Sequence, residues 1–406
     1  MTRAPGALDG LLVADFSRIL AGPYATMLLA DLGADVVKVE SPGGDDTRTW
    51  MPPSRPAPDS PGGALSTYYL AINRNKRSVA LDLKDPGDLR LAARLAARAD
   101  VMIENFKPGG LARYGLDYAT VSRANPRLVY ASISGFGTAG GASLPGYDLL
   151  VQAASGLMSL TGDPDGPAYR AGISVFDVMT GLHAAVGILG ALHHRHTSGE
   201  GQHVGVNLLA SAMSGMVNQT AAYAAGGVVP HRMGNAHPSV FPYEPLPTAD
   251  KDLIVIAAND GQFRRLCDGL GAPELADDPR FAHNADRTRN RDALRPLLVE
   301  HLARRSADAW FRHLSAAGVP CGPINEVDDG LALARDLGLD PVVEIGEGDA
   351  AVPSIRHPVT FGATPARHVL PPPELDEHGA AIRAWLAGDA DGPAGSAGSE
   401  DQEASR

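Results

Sequence analysis

Short, continuously apolar runs alternate with stretches of helical spacing through the first half of the chain. GLLVADF, ILAGPYATMLLADLG and DVVKVE read as strand, helix and strand; SVALDL, DPGDLRLAARLAARA and DVMIENF repeat the unit, and LVYASIS adds a strand. Runs this short and this apolar suit strands covered on both faces, and such alternation joins parallel neighbours. The pattern predicts an α/β fold with a doubly wound parallel sheet in a large domain. The loop after the first strand, SRILAGPYAT, lacks the GxGxxG that lets a backbone approach a dinucleotide pyrophosphate, so a nicotinamide oxidoreductase is not indicated.

The Pro-rich stretch MPPSRPAPDSPGGALS, residues 51–66, predicts an extended loop between the two repeats. After HVGVNL the periodicity is helical through LLASAMSGMVNQTAAYAAGG, and VVPHRMGNAHPSVFPYEPLPT marks a boundary. LIVIAA, FRRLCDGLG and the charged helices of residues 287–305 then predict a smaller α+β domain ending near GVPCGPINEV. The expected division is 1–208 for the first part of the large domain, 209–230 for a linker helix and 231–328 for the small domain, one domain being inserted in the other.

A chain of 406 residues is long for one core and fits two domains. Its 35 Lys plus Arg against 47 Asp plus Glu, a net charge of −12, argue against nucleic acid or an anionic membrane as partner. Part of that charge lies in residues 389–406, DADGPAGSAGSEDQEASR, expected to be a disordered tail. A phosphate-rich ligand therefore needs a local basic patch. Cys267 and Cys321 are the only cysteines, which suggests neither a disulfide framework nor a thiolate zinc site and fits a cytoplasmic location. The apolar segment GLHAAVGILGALHHRH is interrupted by Gly181, His183 and Gly187 and is expected to be a buried helix, not a membrane span.

Several residues could carry chemistry. Asp177 stands at the entrance of that helix, where an acid is either an N-cap or a reactive carboxylate. Ile72-Asn73-Arg74-Asn75-Lys76-Arg77 is either a solvated basic turn or a phosphate seat. Asn105-Phe106-Lys107-Pro108-Gly109 follows a strand, where open α/β sheets bind ligands, and Arg113 lies just beyond. Tyr147 and Asp148 precede an apolar helix, Asp148 reading as its cap. His237 sits in a Pro-rich loop, whereas His193, His194 and His196 close a helix without a carboxylate at metal-ligand spacing, so no metal site is expected.

The series DFSRILAGPYATMLLADLGADVVKVESPGGDDTR, NRNKRSVALDLK, DVMIENFKPGGLARYGLD, NPRLVYASISGFG, PGYDLLVQAASGLMSLTG and GEGQHVGVNLLAS, in this order, resembles the class III CoA-transferase family, which includes formyl-CoA transferase, carnitine CoA-transferase and α-methylacyl-CoA racemase. The resemblance runs from about Leu8 to about Trp385. It implies that Asp177 is a covalent nucleophile forming an aspartyl anhydride and then an aspartyl-CoA thioester. It further implies CoA contacts at Leu20, Ala21, Ile72, Asn73, Arg74, Asn75, Asn105, Phe106, Lys107, Arg113 and Tyr147, with His237 a weaker candidate for the acyl carboxylate. Residues 329–388 are implied to return to the large domain, making it discontinuous, and two subunits to interlink as a homodimer. The implied substrates are an acyl-CoA and a small carboxylic acid, with coenzyme A as part of the substrate and no tightly bound cofactor. Tyr147 occupies a position where the racemase branch has His, which favours transfer over racemisation; the remaining alternative is a non-catalytic acyl-CoA-binding protein. Leu20 replaces a Gln of formyl-CoA transferase, and Gly234-Asn235-Ala236-His237-Pro238-Ser239 replaces its glycine-only loop, so an oxalate–formate specialisation is not implied.

Overall fold

The computed structural model describes residues 5–57, 63–348 and 351–388; the expected acidic tail lies outside the described residues. The chain forms two compact units. Of the described residues, the larger comprises those within 5–155, 172–220 and 340–388, the smaller 156–171 and 221–339.

In the larger unit, β1 (Leu12–Asp15) leads through helix Ala21–Asp31 to β2 (Asp35–Glu40). The Pro-rich segment is not wholly extended loop: β3 (Ser54–Pro56) pairs antiparallel with β4 (Ala64–Ser66). β5 (Lys76–Ala80), β6 (Val101–Glu104), β7 (Val129–Ser134) and β8 (His203–Asn207) complete a six-stranded sheet in the order β5-β2-β1-β6-β7-β8, parallel throughout. The doubly wound sheet expected from the alternation is present. Its order reverses direction between β1 and β6, so the loops leaving these two strands diverge and open a crevice at their carboxyl ends.

Helix Pro86–Arg98 shows why the local sequence folds as it does. Asp85 caps it, accepting from Gly87 N at 2.7 Å and Asp88 N at 2.9 Å; Pro86 needs no donor in the first turn, and Ala92, Leu95 and Ala96 form the buried face. The last helix, Gly379–Ala387, buries Ile382 and Leu386 in the same core cluster. Arg98 and Arg94 donate to the carbonyls of Trp385 and Leu386 at 2.9 and 2.8 Å, which fixes this last helix against helix Pro86–Arg98.

Helix Val175–Ser198 packs against helix Ala21–Asp31 so closely that a Cβ on Gly181 would lie 2.7 Å from the Ala21 carbonyl oxygen. Phe176, Thr180, Ala184, Ala185 and Ile188 form its buried face. The opposite side leaves Leu182, Val186 and Leu189 exposed, so the expected burial holds for one face only. Its 24 residues and mean hydropathy of 1.7 over an 18-residue window would by length and composition allow it to cross a membrane.

The smaller unit is α+β. β9 (Tyr243–Pro247), β10 (Asp252–Ile256) and β11 (Cys321–Pro323) form an antiparallel sheet beside helices Asp260–Leu270, Arg291–Leu302 and Ala307–Ala316, with Phe263, Leu266, Leu298 and Trp310 in the core. Its bounds differ from the expected 231–328. Residues 156–171 join it because Gly234 N donates to Gly162 O at 3.0 Å and Arg232 Nε to Asp163 O at 3.1 Å, links that no local pattern announces. The expected linker 209–230 is two helices, Leu208–Gly215 and Val217–Gly226, and the division falls within the second. The larger unit resumes at residue 340 with the hairpin of β12 (Val342–Ile345) and β13 (Val352–Ile355).

Candidate active site

The crevice at the β1/β6 reversal holds a cavity of about 190 Å³. Residues 18–21 after β1 and 105–108 after β6 form two walls, with Ser134, Tyr147 and Asp177 completing it. Asn105 ties the walls together. Its Oδ1 accepts from Arg18 N at 3.0 Å, and its Nδ2 donates to Arg18 O at 2.7 Å. Glu104, buried at the end of β6, accepts from Phe106 N at 2.9 Å and fixes the start of the same loop. Tyr147 is brought in by a backbone contact between two glycines: a Cβ on Gly135 would lie 2.4 Å from Gly146 Cα, and one on Gly146 would lie 2.8 Å from Gly135 Cα.

Asp177 lies in the first turn of its helix but does not cap it. The cap comes from Asp148, whose Oδ1 accepts from Phe176 N at 2.8 Å and Asp177 N at 3.2 Å. Asp148 therefore serves a helix 28 positions later in the chain, a pairing that local motif reading missed. Among the described residues no group donates to the Asp177 carboxylate. Burial, reinforced by the neighbouring Asp148 charge, pushes Asp177 up to about 7. The first N–H groups of this helix are occupied, since Val175 N also bonds to Ile173 O at 2.9 Å. Helix Ala21–Asp31 is different. Leu20, at its N-cap, supplies no side-chain hydrogen bond, and among the described residues Ala21 N has no acceptor. Its start faces the Asp177 cavity.

The basic turn after residue 71 is neither a solvated patch nor a ligand-facing seat for side chains. Arg74 donates through Nε to Asp31 Oδ1 at 2.9 Å and through Nη2 to Oδ2 at 2.6 Å. Asn75 donates to Asp31 at 2.7 Å and accepts from Val369 N and Leu370 N. Asn73 accepts from Lys76 Nζ at 2.9 Å, Lys76 pairs with Asp15 at 3.2 Å, and Ile72 is buried. Burial lowers Lys76 to about 8, despite Asp15. The side chains of Arg74 and Asn75, two of the expected CoA contacts, are thus engaged with Asp31 and with the 369–370 backbone. The strand continuing from this turn instead ends at a cavity of about 330 Å³ lined by Ser41, Pro42, residues 81–84 and Phe106. The sequence reading overlooked that place, although a lysine, Lys84, follows the strand there.

Phe106 also borders a third cavity, of about 540 Å³, with Lys107. Arg113 is exposed in the 3₁₀ turn Ala112–Tyr114, its guanidinium 4.6 Å from the Tyr114 ring centroid, and among the described residues no carboxylate pairs with it. His237 belongs to the smaller unit, where its Nδ1 accepts from Ser239 N at 3.1 Å and its ring tilts against Tyr243; it is not among the residues lining the Asp177 cavity. Among the described residues no cluster of three His, Cys, Asp or Glu groups could hold a metal ion.

The sequence matches CoA-transferase family III over residues 8–379. It is 45% identical over 386 residues to a succinate–glutarate CoA-transferase of Agrobacterium fabrum, covering 93% of this chain and 95% of that protein. Identity to an acetyl-CoA:oxalate CoA-transferase of Acetobacter aceti is 40% over 382 residues, again with 93% and 95% covered. A CAIB/BAIF family protein from Brucella suis has the same fold, with a TM-score of 0.84 at 43% identity over 95% of this chain and 100% of that one. A family match over residues 8–379 and whole-length agreement in sequence with proteins named CoA-transferases lead to one conclusion: the chain belongs to CoA-transferase family III and is a CoA-transferase.

Proposed function

We propose that this CoA-transferase moves CoA from an acyl-CoA donor to a small dicarboxylic acid, with Asp177 as covalent nucleophile. The observation that carries the reading is a withdrawn carboxylate, without donors among the described residues, in a cavity at the sheet's reversal. Asp177 attacks the donor thioester carbonyl, giving a mixed anhydride and CoA thiolate. The thiolate attacks the aspartyl carbonyl, forming an aspartyl-CoA thioester and releasing the donor acid. The incoming carboxylate then attacks this thioester to form a new anhydride, expelling CoA thiolate, which takes the acyl group and restores Asp177. We assign the developing oxyanions to the Ala21 N–H, which has no acceptor among the described residues, because among those residues the start of the Asp177 helix has no free donor.

Phe106 borders both the reactive cavity and the one at residues 81–84, so we assign the nucleotide end of CoA to the latter, with Lys84 and Arg113 as phosphate partners. Arg18 and Lys107 line the reactive cavity and suit the second carboxylate of a dicarboxylate. Relatives named for succinate, glutarate and mesaconate support that substrate class. Among the described residues the cavity lining contains Tyr147 and no histidine, which supports transfer over a two-base racemisation. A cytoplasmic homodimer is part of the same reading, the exposed stripe of Leu182, Val186 and Leu189 being a surface for a second copy.

The test is a quench of the enzyme with succinyl-CoA, followed by denaturing mass spectrometry. CoA attached at Asp177 and converted by hydroxylamine to a hydroxamate is the expected result. Rapid α-deuteration of a 2-methylacyl-CoA in D₂O with no adduct and no transfer would overturn it.

A further inference from the structure

Asp148 does two things to Asp177 at once. It accepts from the Phe176 and Asp177 main-chain N–H groups, which fixes the helix turn carrying the Asp177 carboxylate, and it keeps a second negative charge beside that carboxylate. Gln152 Nε2 donates to its other oxygen, and the side chain is buried, so the acid is held in one orientation. A neutral Asn could serve as the cap equally well. The acid is therefore more than a cap requires.

We propose that Asp148 is a positioning residue whose charge raises the reactivity of Asp177 through repulsion that is relieved each time Asp177 is acylated. This rests on Asp177 being the nucleophile. Two carboxylates share one site at the start of the helix, and one of them meets no donor among the described residues. In the anhydride and in the CoA thioester Asp177 carries no charge, so both covalent states escape a repulsion that the free enzyme bears. The Asp148 oxygens stay on the two N–H groups throughout, so the attacking oxygen is aimed while its neighbour is fixed. Other titratable or charged groups near Asp177 are Tyr68, whose hydroxyl lies 3.5 Å from Ser174 Oγ, and Tyr147, Arg18 and Lys107 in the cavity lining. Helix Ala21–Asp31 contributes Tyr24; helix Leu208–Gly215 has no titratable side chain; β7 and β8 bring Tyr130 and His203.

The experiment compares wild type, Asp148→Asn and Asp148→Ala for single-turnover CoA-adduct formation from succinyl-CoA as a function of pH, with circular dichroism to monitor folding. The amide keeps the cap and removes the charge. Wild type should lose adduct formation as pH falls through about 7, where Asp177 takes up its proton. In Asp148→Asn that limb should move to lower pH while the plateau rate falls roughly tenfold, the scale of one pKa unit of lost basicity. Asp148→Ala should fall further and also melt earlier. An unmoved limb in Asp148→Asn, with or without a lower rate, would overturn the proposal and leave Asp148 as a cap alone. Absence of any Asp177 adduct in wild type would overturn the nucleophile itself, a separate result.

Discussion

Asp31 is buried and Asp177 half-buried in the larger unit, and their surroundings are opposite. Asp31 accepts from Arg74 through two nitrogens, from Asn75, and lies 3.3 Å from His357 Nδ1. Burial pushes its carboxyl up, but the hydrogen bonds from His357 and Arg74 outweigh this and hold it below the usual range. Asp177 has burial and a like charge and no compensating donor, so it goes the other way. A buried acid surrounded by donors is scaffold: its charge is stabilised and unreactive. A half-buried acid deprived of donors keeps a basic, nucleophilic oxygen at the expense of stability, and that oxygen lies in a cavity.

The sharpest way to break this comparison is to make the same substitution in both. Asp177→Asn should abolish transfer, by roughly 10³-fold or more as for other covalent nucleophiles, while CoA binding persists. It should also stabilise the protein. The Asp177 pKa is higher folded than unfolded, so ionisation disfavours the native state; that penalty is absent below the ordinary carboxylate value of 3.8 and grows until about pH 7, above which it is constant. Asn removes it. Denaturant melts should favour the variant by about 4 kcal/mol at pH 8, at about 1.4 kcal/mol per unit, and by nothing near pH 3.5. A variant less stable than wild type at pH 8 would show that Asp177 is scaffold after all.

Asp31→Asn should do the reverse. It leaves the Arg74 guanidinium buried without its counter-charge, a loss of about 3–5 kcal/mol when one partner of a buried pair is removed. Thermal and urea melts should drop accordingly, and any surviving folded enzyme should still form the Asp177 adduct. Unchanged stability would mean that Arg74 can escape to solvent, restoring the basic turn as a ligand seat.

The sheet was legible because each strand is a local apolar run: DVVKVE and LVYASIS fall on β2 and β7. The reversal at β1 and β6 then locates a crevice without further information. Partnership was not legible. NRNKR looks the same whether it faces a phosphate or an aspartate, and only the tertiary fold brings Asp31, 43 positions earlier, onto Arg74. Asp148 and Asp177 were each readable as a cap for the following helix, yet the first caps the second's helix across an intervening segment. Residues 156–171 likewise join the smaller unit through contacts with residues 232–234 that leave no periodic trace.

A smaller effect should follow from Gly135→Ala. The added Cβ meets the Gly146 backbone, which cannot rotate away as a side chain can, so the segment carrying Tyr147 and Asp148 must shift. Overpacking of this kind costs about 1–3 kcal/mol. Because Asp148 aims the Asp177 helix, the rate of adduct formation should fall more than CoA affinity does. Equal losses in both would point to general loosening of the unit.

The smallest expected change extends the comparison from acids to arginines. Arg74 is buried against Asp31, whereas Arg113 is exposed beside a tyrosine ring with no carboxylate on it among the described residues. An arginine already paired inside the fold contributes to stability; one left solvated is available to a phosphate, with which it can form two hydrogen bonds. Arg113→Ala should therefore leave the melting curve unchanged within about 0.5 kcal/mol, as for other surface substitutions. A hydrogen bond to a charged group contributes roughly 1.5–3 kcal/mol, so CoA affinity by calorimetry should weaken by about one to two orders of magnitude. Removing the 3′-phosphate from the ligand shows which phosphate is held: if dephospho-CoA binds wild type and Arg113→Ala equally, Arg113 contacts that group. A wild-type affinity for CoA itself in Arg113→Ala would take this arginine out of the site and leave Arg18 and Lys107 in the reactive cavity and Lys84 in its neighbour as the candidate cations.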